Sequence, residues 1–60
     1  MLIERGAVVR RKTGGYNMLV LSVVDVMAHC VWVSELGVQG FDFPLDDIMH
    51  IVSPGENMLE

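Results

Sequence analysis

Few side chains in this chain are equipped for chemistry: Cys30, His29, His50, the Asp46-Asp47 pair, and a basic run at Arg10, Arg11 and Lys12. A thiol acts as a nucleophile only as its thiolate, which needs an electropositive, partly exposed setting. On a strand, Cys30 and His29 point to opposite faces, so the imidazole is badly placed to take the thiol proton. No two of His29, Cys30, His50 and the Asp46-Asp47 pair have the Cys-x-x-Cys or His-x-x-x-His spacing that gathers metal ligands locally. Adjacent aspartates in a turn diverge, and nothing supplies a second carboxylate or a nucleophile, so Asp46 and Asp47 are expected to start a turn rather than act as acid and base. Gly14-Gly15 adjoins no helix start and no longer glycine loop, which favours a turn over a phosphate cradle. The expectation is a non-enzymatic protein with no catalytic residue, metal site or cofactor.

Charge supplies the next candidate. The net charge is −4, yet all four basic residues, Arg5, Arg10, Arg11 and Lys12, lie in the first twelve positions, and every acid except Glu4 follows them. The plainer reading is a solvated edge strand whose arginines pair with acids from a neighbouring strand or from the 42–47 segment. The functional alternative is a weak nucleic-acid contact through Arg10, Arg11, Lys12 and Tyr16, beside the flexible Gly14-Gly15. An acidic protein lacking a broad basic face is poorly suited to it.

Whatever these residues do, the stretch Met18–Val33 must position them, because most of the apolar core material is there. Six of its residues are valine, whose branched Cβ suits a pleated sheet better than a helix. A helix would align Ser22, Asp25 and His29 as one polar stripe. Read as sheet, the stretch divides into strands Met18–Val26 and His29–Val33 around a tight reversal. Met18, Val20, Val24 and Val26 then share one face, and Leu19, Leu21 and Val23 the other; Val31 and Val33 repeat the pattern opposite Cys30 and Trp32. Apolar residues on both faces of a small sheet call for a second cover. Leu19, Leu21, Val23, Val31 and Val33 are therefore the candidate self-association surface, with a homodimer favoured and another protein as the alternative partner.

In chain order, Ala7–Arg11 is a first strand, and Thr13-Gly14-Gly15-Tyr16-Asn17 turns it into the second. Ser34-Glu35-Leu36-Gly37 reverses the chain into Val38–Phe43, whose phenylalanines are expected inside. Pro44 ends that strand, Leu45–Ile48 forms a single 3-10 turn, and Met49–Val52 closes the sheet. Residues 1–52 are expected to form one domain and 53–60 a flexible tail. Sixty residues support one small core, a single cysteine excludes an internal disulfide, and no apolar run approaches membrane-spanning length. A soluble cytoplasmic protein is expected.

Five short strands with one 3-10 turn before the last is the element order of a small SH3-like barrel. The spacing of Lys12, Gly14, Gly15, Met18 and Val20, then Cys30-x-Trp32 and Phe43, resembles the YodC-like family of small bacterial proteins, from about Val8 to Ile48. That resemblance implies size and an SH3-like fold, with no activity to carry over. Gly6-Ala7-Val8-Val9-Arg10-Arg11-Lys12 also resembles, one residue out of step, a run in the plasmid-encoded type II dihydrofolate reductases, which are SH3-like tetramers. Their Val-Gln-Ile-Tyr segment is replaced here by Val38-Gln39-Gly40-Phe41, so their active site is not expected.

Overall fold

The computed structural model describes residues 3–52; the expected tail, 53–60, lies outside the described residues. Five antiparallel strands, β1 (Val8–Arg11), β2 (Met18–Val24), β3 (Met27–Ser34), β4 (Gly37–Pro44) and β5 (Ile48–Val52), form a single sheet in the order β4-β3-β2-β1-β5. One 3-10 turn, Leu45–Asp47, separates β4 from β5. The chain is all-β, and the helical alternative for Met18–Val33 is replaced by the β2–β3 hairpin. Among the described residues no helix is long and apolar enough to cross a membrane.

The sheet is strongly bent. In a flat sheet β1 and β4 would lie three strand spacings apart, about 14 Å. Here the Arg11 guanidinium carbon, at the end of β1, is 5.4 Å from the ring centroid of Phe43 in β4. The sheet is not closed, however, because β4 and β5 remain its two ends. Its concave side holds the core: Ala7, Val9, Met18, Val20, Ala28, Cys30, Phe43 and Ile48, with Ile3, Val23, Trp32 and Leu45 packed against it. The largest fully buried side chains are two valines and a cysteine, so the core is thin.

Two local features differ from the sequence expectation. The β2–β3 reversal is tighter than expected, with Val24 paired to Met27 and only Asp25-Val26 between them. Asp25 takes φ 55°, a left-handed conformation that aspartate tolerates better than most side chains, which is how the turn closes without glycine. The second feature is a bulge. Val20 pairs with Cys30 but Ser22 pairs with His29, leaving Leu21 as the extra residue. Alternation therefore resets within β2: Leu21 and Ser22 are both exposed, Val23 turns toward the core, and Val24 and Val26 are exposed. The expected faces are thus corrected beyond Leu21, with Val23 and Val24 exchanged by the one-residue insertion.

The other turns follow the sequence. Thr13–Asn17 links β1 to β2, with Val8 opposite Leu19 and Val9 opposite Met18. The Gly14 N–H donates to the Arg11 carbonyl, and both Gly14 and Gly15 have positive φ. The 3-10 turn is tied in at both ends: Leu45 N–H donates to the Val26 carbonyl, and Lys12 N–H to that of Asp47. Phe43 is buried as expected, but Phe41 is 60% exposed. It shares the concave face with Phe43, opposite Cys30, yet lies on β4, which among the described residues is an edge strand with no further strand to cover it.

Candidate functional site

Cross-strand pairs sort the candidate residues onto the two faces. On the convex face, Leu19 of β2 faces Val31 of β3, which faces Gly40 of β4. A Cβ at Gly40 would stand 3.3 Å from the Val31 side chain, so the missing side chain lets Val31 lie across the strand. Further along, Val33 pairs with Val38, and the two are 72% and 74% exposed. Leu19, Leu21 and Val33 are exposed and Val31 half-buried, so four of the five expected surface residues are on this side. Val23 is not, because of the bulge.

A polar row crosses the same face. Ser22, His29 and Asp42 are neighbours on β2, β3 and β4. His29 Nδ1 lies 2.6 Å from Asp42 Oδ1, with both side chains well exposed. His29 thus has a carboxylate partner and points away from Cys30, as its strand position requires. Cys30 is fully buried, and its thiol donates to the Ala28 carbonyl at 3.7 Å. Burial pushes the thiol's pKa up, and the negative charge of Asp42 adds in the same direction. A protonated, buried thiol is inert toward electrophiles. Among the described residues no three His, Cys, Asp or Glu side chains cluster in a way that could hold a metal ion.

The basic run is divided by strand alternation. Arg10 pairs with Met49 on the convex side and its guanidinium lies 3.8 Å from the Met49 sulfur, while its Nε is buried without a partner. Arg11 points to the concave side over the Phe43 ring, in cation–π range. Lys12 stands in the exposed turn. Among the described residues neither arginine forms the expected pair with a carboxylate, whereas His29 pairs with Asp42.

Arg11 and Tyr16 do meet, in a place the sequence did not reveal. Both line an open groove of about 390 Å³ on the concave face, together with Trp32, Phe41 and Phe43, so the chain's four aromatic residues converge there. Met18 also lines it, Gln39 supplies a polar group, and Gly14-Gly15 forms part of the wall. Phe41 and Phe43 have ring centroids 5.1 Å apart at 57°, and Trp32 and Phe43 6.3 Å apart at 48°. The Trp32 indole N–H, which a buried position obliges to find an acceptor, has none among the described residues. Of the eight residues that carry the family resemblance, Gly14, Gly15, Met18, Trp32 and Phe43 line this groove, and Lys12, Val20 and Cys30 do not. The period-two spacing of Cys30 and Trp32, and of Gln39, Phe41 and Phe43, was the available signal; the bend that brings β4 to the β1–β2 turn was not readable.

Comparison of the chain with family models, with curated proteins and with solved structures gives no match.

Proposed function

We propose that this chain is a small, non-enzymatic protein-interaction module of SH3-like architecture that self-associates through the convex face of β2, β3 and β4. The strand order β4-β3-β2-β1-β5 and the single 3-10 turn before β5 support the SH3-like reading. The observation that carries the functional reading is the exposed apolar surface running from Leu19 and Leu21 to Val33 and Val38. A sheet face in water ordinarily alternates to polar residues, and apolar patches of this kind mark interaction surfaces. Its occupant is a second copy of the chain. The core is thin for a domain of this size, and association through an apolar face offsets that deficit, as small domains commonly require. A two-fold arrangement would set Val33 and Val38 against the same residues of the other copy.

The remaining chemistry supports a binding role over a catalytic one. The thiol is buried, His29 is held by Asp42, and Arg10 and Arg11 face opposite sides instead of forming one phosphate-contacting patch.

Light scattering coupled to gel filtration across a dilution series tests the proposal. At about 10 μM, the wild type should elute as a dimer or larger assembly, and the double variant Val33→Lys, Val38→Lys as a monomer with an unchanged β-sheet circular dichroism spectrum. A wild type that stays monomeric at that concentration would refute self-association.

A further inference from the structure

We infer that the concave groove is a second binding site, separate from the convex face, and that it takes an extended proline-rich peptide segment carrying an acidic residue. Four observations select this ligand.

The first is the shape of the lining. The rings of Trp32, Phe41 and Phe43 are tilted against one another by about 50° rather than laid side by side, giving ridges and hollows instead of flat platforms. Stacked nucleobases need exposed ring faces, and the Phe43 ring is buried with the Arg11 guanidinium over it. Pyrrolidine rings on a polyproline II backbone are ridges of matching size, and aromatic-lined grooves are the usual receptors for such segments.

The second is charge. Among the described residues Arg11 is the only charged side chain in the lining. A cation such as lysine would meet repulsion there and would find Phe43 already engaged, so an aromatic cage for a cationic ligand is disfavoured. A carboxylate on the ligand is complementary.

The third is the indole N–H of Trp32, a residue of the groove lining, which is buried with no acceptor among the described residues. A polyproline II backbone has no internal hydrogen bonds, so its carbonyls are free to accept, and a modest swing of the indole edge toward the ligand would supply the acceptor this donor lacks. The fourth is access. Gly14 and Gly15 have positive φ and nothing within 4 Å of where a Cβ would stand, so this wall leaves room for a ligand backbone. Tyr16 and Phe41, 56% and 60% exposed, would be its first contacts.

Trp32 is the only tryptophan and lines this groove, but it also borders a depression with Leu19, Val31, Val33 and Val38, so its fluorescence and indole N–H resonance are read at one fixed protein concentration, where the extent of self-association is constant. The full-length protein would be titrated with three synthetic decapeptides: one alternating prolines with aspartates, one with lysine replacing each aspartate, and one with serine replacing each proline. The aspartate–proline peptide should shift the Trp32 indole signal saturably, and the lysine peptide should bind about threefold or more weakly, as expected of one exposed charge contact. Arg11→Gln should erase the difference between those two peptides. Phe41→Ala, at an exposed position that does not threaten the core, should weaken binding about tenfold. Absence of a shift at about 1 mM peptide would overturn the proposal. Equal binding of the serine peptide, or tighter binding of a single-stranded oligothymidylate at the same resonances, would overturn it as well, the latter in favour of a nucleic acid.

Discussion

Cys30 shows how a reactive residue type becomes a structural one. Its side chain is fully buried between Ala28 and Trp32 on the concave face, where charge is costly, so its pKa is raised by burial first and by Asp42 second. In the unfolded chain the same thiol ionises near its ordinary value of about 8.5. Between that pH and the higher folded pKa the unfolded state holds fewer protons than the folded state, so stability is fully present below the unfolded pKa and falls as pH rises. Urea unfolding at pH 7 and pH 10 should show the wild type losing more stability than Cys30→Ala over that interval. Equal losses would mean that the thiol ionises as readily in the fold as out of it. The same burial predicts slow alkylation of Cys30 in the native protein and fast alkylation in urea.

At the level of elements, the β2–β3 hairpin depends on one residue. Asp25 stands at φ 55° between Val24 and Met27, in a two-residue loop without glycine. A β-branched side chain there is strongly disfavoured, so Asp25→Val should cost about 1–3 kcal/mol in denaturant unfolding. Asp25→Gly should be neutral or slightly stabilising, since glycine adopts positive φ without strain, though at an entropic cost. A valine variant as stable as wild type would show that the turn relaxes to another form. The bulge at Leu21 is the companion feature: by resetting alternation it sends Val23 to the core and leaves Val24 exposed. Strand identity was legible from the run of valines, and the Thr13–Asn17 turn from its glycines. The bulge was not, because an extra residue in one strand is defined by its pairing with another, and nothing in Leu21 or Ser22 announces it.

For the whole molecule, the decisive feature is a bent sheet, unclosed among the described residues with β4 and β5 at its ends, a thin core inside and apolar residues outside. If the convex face is covered by a second copy, folding and association are linked, and stability becomes a function of protein concentration. The thermal midpoint should then rise by several degrees between about 5 and 500 μM for the wild type and remain constant for Val33→Lys, Val38→Lys. A concentration-independent midpoint in the wild type would separate folding from association. Edge strand β4 makes the same point structurally, since eight residues with Val38 and Phe41 exposed and only one acidic side chain carry little of the charge that usually protects an edge.

The sequence by itself determined that this chain is all-β, where its five strands lie to within two residues, and that a 3-10 turn precedes the last. It did so because valine-rich alternation, paired glycines and Pro44 act locally, through backbone conformations available to a few residues at a time. It also separated Cys30 from His29, since alternation alone places them on opposite faces. Only the tertiary structure decided which apolar residues are covered, that Arg10 and Arg11 serve opposite faces, and that Tyr16, Trp32, Phe41 and Phe43 share one groove. Those outcomes depend on the bend that carries β1 to within reach of β4, a property of five strands paired together that no single segment encodes.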